Sequence, residues 1–138
     1  MPIPIEAKEL WTAGGVLLGF QATAFAWRIA EESKVAERSD IVWLPPADYL
    51  NLAAMATNVI GVFIMPGLGL ASVRCILISF GLAALLFLGH AFAVAAHYEL
   101  YGRGHQRSFL WWPRQEKIAI LVVSLAVFVY LYLALWIR

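Results

Sequence analysis

The stretch IAILVVSLAVFVYLYLALWI, residues 118–137, decides the fold class of this chain. Apart from Ser124, Tyr130 and Tyr132, every residue in it is apolar. An α-helix needs roughly 20 mostly apolar residues to cross the hydrocarbon layer of a bilayer, which is about 30 Å thick. Backbone groups in lipid must be hydrogen-bonded within their own segment, and a helix achieves this. The stretch therefore predicts a transmembrane helix.

Three further apolar stretches are of similar length, at about residues 10–29, 49–70 and 72–97. Hydrophobic residues make up 62% of the chain and charged residues 14%, whereas soluble domains have about 45–50% and about 25%. One small core cannot bury that much apolar surface, so the surplus must face lipid or other subunits. We expect an all-α integral membrane protein with one domain over residues 1–138. Its fold would be an antiparallel four-transmembrane-helix bundle with both termini on the same side.

The basic residues predict which side of the membrane each loop faces. After four crossings, the stalk and loop over residues 30–48 share one side with the loop over residues 98–117. Basic residues concentrate on the cytoplasmic side, and the loop side holds seven of the chain's 10 lysines and arginines. We therefore expect both termini outside the cytoplasm, and the compact loops favour a bacterial inner membrane. The seven are Arg28, Lys34, Arg38, Arg103, Arg107, Arg114 and Lys117.

The two loops differ in character. Residues 31–40 mix acids and bases without a helix breaker, which predicts that helix 1 continues as a polar stalk. Pro45 and Pro46 then end any helix and open the next one. The loop over residues 98–117 is aromatic and basic, which is typical of a segment in the lipid headgroup layer. Its candidates for docking to lipid or to a partner protein are Arg103, Arg107, Trp111, Trp112 and Arg114.

Small residues line one face of helix 1. Gly15 and Gly19 form a G-x-x-x-G pair, and Ala26 continues the same face. Such faces let two helix backbones approach closely, which gains packing that lipid does not replace. The face predicts a helix-packing interface, either within one protomer or between subunits.

Four polar residues lie inside the apolar stretches and are candidates for a pore or for intramembrane packing. Asn51 and Asn58 are seven residues apart and share one helix face, and Gln21 lies at a depth similar to that of Asn58. An interhelical hydrogen bond between Gln21 and Asn58 is one expectation, and an aqueous pore lined by the amides is the other. His90 lies deep in helix 3, where we expect a bond to Asn58 or to a backbone carbonyl, with a proton-responsive gate as the alternative.

Several classes of function lack their required residues. Cys75 is the only cysteine, so an intramolecular disulfide and a multi-cysteine metal site are excluded. His90 and His97 lie two turns apart on one helix, so they cannot approach a haem iron from opposite sides within one protomer. The sequence contains no catalytic motif, and we expect no enzyme activity, cofactor or metal. A net charge of +1 and the lack of a phosphate-binding glycine loop leave no reason to expect nucleic acid.

These features predict a small polytopic membrane protein that acts by self-association. A channel-like or membrane-perturbing oligomer is the form that the intramembrane amides favour. The alternatives are an accessory or assembly subunit of a larger membrane complex and a small-molecule transporter. The expected partners are membrane lipids and either further copies of the chain or a partner membrane protein.

Overall fold

The computed structural model describes residues 6–39, 43–102 and 110–136, and all the regular structure in these ranges is helical. We number the four long helices in chain order: α1 is Ala7–Ser39, α2 is Pro46–Gly67, α3 is Val73–His97 and α4 is Arg114–Trp136. Within α2, a π-helical segment occupies Val59–Ile64. Helices α2, α3 and α4 are each long and apolar enough to cross a membrane.

Helix α1 is the longest, with 33 residues. Its first two thirds are apolar but contain glycines and Gln21, and its last third is charged. The helix runs without a break through residues 30–39, the segment that the sequence predicted as a polar stalk. Ion pairs between residues one turn apart support this part, among them Lys34 with Glu31 at 2.7 Å.

The helix ends follow local chemistry. Pro46 occupies the first turn of α2, where its missing N–H is not needed. Ser72 caps α3 by accepting a hydrogen bond from the Cys75 N–H at 3.4 Å. The short turn between α2 and α3 includes Gly69 at φ 71°, a conformation that glycine adopts without a steric penalty.

Neighbouring helices run antiparallel. Along the contact of α3 with α4, Gly81 lies opposite Tyr130 and Gly89 lies opposite Val123. The Tyr130 hydroxyl also donates to the Ile78 carbonyl at 3.0 Å. Helix α2 contacts α3 along its length, with Gly61 against the Ser79 side chain. Helix α1 lies on α2 and α3 and buries only a narrow strip of its own surface.

The interior changes in character along the helix axes. The end with the α2–α3 turn, here the turn end, contains an apolar cluster of Leu10, Val62 and Ile76. The opposite end, here the loop end, buries ionisable side chains. Large apolar side chains cover the outer surface, as on α4, where Leu121 and Phe128 are each 69% exposed. An apolar outside around a partly polar inside is the reverse of what water favours.

Candidate functional site

A line of buried polar side chains follows the contact between α1 and α2. It consists of Gln21 and Arg28 on α1 and of Asp48, Asn51 and Asn58 on α2, and we call it the polar seam. The side chains of all five are 1% exposed or less. On α1, Gln21 and Arg28 follow Gly14 at intervals of seven residues. This spacing keeps all three positions on one face of the helix.

The amides of the seam are bonded to backbone carbonyl groups of neighbouring helices. Asn58 Nδ2 donates to the Gly14 carbonyl at 2.9 Å and to Gln21 Oε1 at 3.3 Å. Asn51 Nδ2 donates to the Gln21 carbonyl at 2.9 Å, and Gln21 Nε2 reaches the Ala83 carbonyl at 3.5 Å. The predicted hydrogen bond between Gln21 and Asn58 is therefore confirmed, and the amides connect α1 with both α2 and α3.

Arg28 lies at the loop end of the seam and has three partners. Its Nε and Nη2 donate to the two carboxylate oxygens of Asp48 at 3.0 and 3.2 Å. Its Nη2 also reaches Glu32 at 2.7 Å, and its Nη1 donates to the Tyr98 hydroxyl at 2.7 Å. The guanidinium group thereby connects α1, α2 and the C-terminal end of α3. The bidentate pair of Arg28 with Asp48 combines charge attraction with a fixed geometry.

Histidine side chains extend the buried cluster across α3. His90 donates from Nδ1 to the Ala47 carbonyl at 3.0 Å, with Asp48 Oδ1 at 3.7 Å. The predicted bond from His90 to a backbone carbonyl is confirmed. His97, one residue from Tyr98, is completely buried.

Glu116 fixes the N-terminal ends of α2 and α4 to each other. Its Oε1 accepts a hydrogen bond from the Ala47 N–H at 2.6 Å, and its Oε2 accepts one from His97 Nδ1 at 2.9 Å. No side chain of α2 itself caps this end of the helix. Glu116 therefore supplies the cap from α4, and its negative charge lies at the positive end of the α2 dipole.

The four candidate pore residues of the sequence lie together in this interior. Gln21, Asn51 and Asn58 are completely buried, and His90 is 4% exposed. Their N–H groups donate to partners within the chain at the distances given above.

The candidate packing residues of α1 lie elsewhere. Gly15, Gly19 and Ala26 are exposed, and no neighbouring atom lies within 4 Å of a Cβ built on either glycine. Within the protomer the close approach occurs at Gly14, where a Cβ would lie 2.8 Å from Val62 Cγ1. The face of Gly15, Gly19 and Ala26 is therefore not a helix-packing interface within the protomer.

The docking candidates are described in part. Trp111, Trp112 and Arg114 are exposed at the start of α4. Lys117 lies over the Trp112 ring, 5.4 Å from its centroid. Arg103 and Arg107 lie outside the described residues.

Sequence analysis missed the ionisable part of the site. Arg28, Asp48, His97 and Glu116 lie near the ends of the predicted helices, where charges usually meet water, so sequence analysis did not place them in the interior. A signal was present, because all four fall at the loop end in an antiparallel bundle. Asp48 and Glu116 also each follow a proline that opens a helix.

The arrangement is suited to holding helices together. Within the described ranges, no three side chains of His, Cys, Asp or Glu are grouped to hold a metal ion. The carboxylates of Asp48 and Glu116 are engaged by partners within the chain. No protein-family model, curated protein or solved structure matches this chain.

Proposed function

We propose that the protein is a four-span integral membrane protein that works by self-association, with α1 at the interface between copies. Three helices long and apolar enough to cross a membrane support the membrane location. Helix α1 would be the fourth span, because it lies along α2 and α3 and exposes Val16, Phe20 and Trp27. In this proposal the loop end faces the cytoplasm of a bacterium and both termini lie outside.

One observation carries the choice of interface. Gly15, Gly19, Ala22 and Ala26 form an exposed strip on α1, which we call the small-residue face. Added Cβ atoms at Gly15 and Gly19 would enter open space, so the protomer itself does not need glycine there. Glycine in the middle of a helix is unfavourable by about 0.5–1 kcal/mol relative to alanine. Close approach of a second helix would offset that cost.

The interior argues against a pore lined by the amides. Gln21, Asn51 and Asn58 are buried and hydrogen-bonded within one copy, which favours a packing role for them. The apolar cluster of Leu10, Val62 and Ile76 lies beyond Asn58 towards the turn end. Self-association without a conducting path through the protomer is therefore the form of the proposal that the contacts support best.

The test is to fill the small-residue face. Gly15→Leu and Gly19→Leu together should weaken association by about tenfold or more, equivalent to about 1.4 kcal/mol, because leucine side chains hold the two backbones apart. Energy transfer between labelled copies would be measured in lipid vesicles over a series of protein-to-lipid ratios. Native mass after mild extraction provides the number of copies.

Phe20→Leu is the matched control, because Phe20 is an exposed residue of α1 that points away from the small-residue face. It should leave energy transfer unchanged. Energy transfer that persists in the double leucine variant at the wild-type level would overturn α1 as the interface. A wild-type protein that is monomeric at every ratio would overturn self-association itself.

Docking to a partner membrane protein is the second candidate. Trp111 and Trp112 are exposed next to Arg114 at the loop end, and aromatic and arginine side chains are enriched in protein interfaces. The same mild extraction distinguishes the two proposals. One copy of the chain held by a larger protein would favour an accessory subunit, and a defined set of identical copies would favour self-association.

A further inference from the structure

We propose that the interior binds ordered water at three places, beside Asn51, Asn58 and His97. Each of these side chains is completely buried. Each also has an acceptor atom that receives no hydrogen bond from the residues that the structure describes: Asn51 Oδ1, Asn58 Oδ1 and His97 Nε2. Buried polar atoms of this kind are uncommon, and internal water is a frequent partner for them.

The orientation of both asparagines is fixed by their surroundings. Asn51 Nδ2 lies 2.9 Å from the Gln21 carbonyl, and Asn58 Nδ2 lies 2.9 Å from the Gly14 carbonyl. A backbone carbonyl only accepts hydrogen bonds, so the amide nitrogen must face it in each case. The side-chain oxygen of each asparagine is therefore the atom that still requires a donor.

The same reasoning applies to His97. The Glu116 carboxylate accepts the hydrogen bond from His97 Nδ1 at 2.9 Å, so Nδ1 carries the proton. In the neutral ring, Nε2 is then an acceptor. Each of these three atoms is then an acceptor, so its missing partner must be a donor.

Water is the donor that fits this arrangement. The three atoms are inaccessible from the surface, which excludes lipid headgroups and side chains of a second copy. Asn51 and Asn58 are separated by seven residues, or about 10 Å along the helix at 1.5 Å per residue, so one cation cannot bind both. Hard cations also need six or more oxygen ligands, whereas the nearby carbonyl groups of Gly14, Gln21 and Ala83 already accept from the amides.

The backbone next to Asn58 provides a separate indication. The π-helical segment Val59–Ile64 begins immediately after this residue. Such segments interrupt the regular helical bonding pattern and occur often at functional sites, and insertion of water into a helix is one recognised cause of local distortion. At Asn58, a side-chain oxygen that lacks a hydrogen-bond donor therefore lies next to an irregular stretch of backbone.

The composition of the chain makes the test direct. Asn51 and Asn58 are its only asparagines, so isotope-labelled asparagine reports on these two sites alone. Asn51 follows Leu50 and Asn58 follows Thr57, so labelling leucine carbonyl carbon and asparagine nitrogen identifies the Asn51 signal without any substitution. Solid-state NMR of the wild-type protein in lipid vesicles would then measure magnetisation transfer from water to each side-chain carbonyl carbon.

We expect transfer from water to both carbonyl carbons to be several-fold faster than transfer to the buried methyl groups of Val62, which serve as the dry reference. Labelled histidine should show His97 Nε2 unprotonated and in contact with water. Transfer no faster than to Val62 would overturn the proposal. Shifts of the asparagine signals when sodium is replaced by a bulky organic cation would overturn it in favour of a bound metal cation.

Discussion

At the scale of single residues, Arg28 is the most connected side chain of the site. It is 1% exposed and contacts Asp48, Glu32 and Tyr98. A buried pair of opposite charges adds little net stability by itself, because both partners lose their hydration. Loss of one partner is different, because the remaining charge stays buried without compensation. The pair therefore fixes how α1 and α2 are placed more than it contributes to the total stability.

Asp48→Asn should therefore destabilise the protein strongly, by about 3–5 kcal/mol. The measurement is thermal unfolding of the purified protein in detergent or lipid. Glu37→Gln is the control, because Glu37 is exposed on the same stalk as Glu32, and it should leave the unfolding temperature nearly unchanged. Replacing both partners, as in Arg28→Met with Asp48→Leu, should cost less than Asp48→Asn alone. Equal unfolding temperatures for Asp48→Asn and wild type would show that the pair is not maintained.

Prediction from sequence succeeded for the amides and failed for the charges, and the reason is physical. Gln21 and Asn58 lie well inside apolar stretches, where polar groups must find each other or a backbone group. Their depths match in an antiparallel pair, so the hydrogen bond was predictable. Arg28 and Asp48 lie at the borders of the apolar stretches 10–29 and 49–70, where water is an equally good partner. Only the rotation of each helix about its axis, which the sequence pattern leaves open, decides that they face inward.

At the scale of elements, α1 has two different faces. Gly14, Gln21 and Arg28 recur at seven-residue spacing and face α2 and α3, whereas Gly15 and Gly19 of the small-residue face are open. Two adjacent glycines, Gly14 and Gly15, thus have opposite environments.

This contrast predicts opposite results for the same substitution at neighbouring positions. Gly14→Ala should destabilise the protein by about 1–3 kcal/mol, because its Cβ would lie 2.8 Å from Val62 Cγ1 and 3.2 Å from Asn58 Oδ1. Gly15→Ala should leave the protomer as stable as wild type or slightly more stable, since alanine favours the helix. Thermal unfolding in dilute detergent, where copies are separated, compares the two. A larger loss for Gly15→Ala would contradict the placement of α1.

The helix limits show what hydropathy detects. The apolar stretch 118–137 lies mostly within α4, but the helix begins earlier, at Arg114. Likewise the stretch 49–70 corresponds to a helix that begins at Pro46. Apolar residues mark the part of a helix that avoids water, whereas prolines and acidic residues mark its first turn. Asp48 and Glu116 lie in those first turns, so a hydropathy search leaves out helix segments that contain part of the site.

At the scale of the whole molecule, the two ends of the protein are held by different forces. The turn end is joined by a short turn and by contacts among Leu10, Val62 and Ile76, which are of the kind that lipid also offers. The loop end is joined by hydrogen bonds and charge pairs among all four helices. Polar contacts at the loop end therefore provide the specificity that apolar packing alone lacks in a membrane.

Orientation is the last property to be predicted, and Cys75 provides a natural probe of it. This single cysteine is exposed in the first turn of α3, at the turn end. If the basic loop end faces the cytoplasm, a membrane-impermeant maleimide should label Cys75 in intact cells, and Cys75→Ser should abolish labelling. Ser33 is exposed on the stalk of α1, so Ser33→Cys combined with Cys75→Ser should react only after the cells are opened. If the double variant is labelled in intact cells and Cys75 of the wild-type protein is not, the orientation is the reverse and the loop end lies outside.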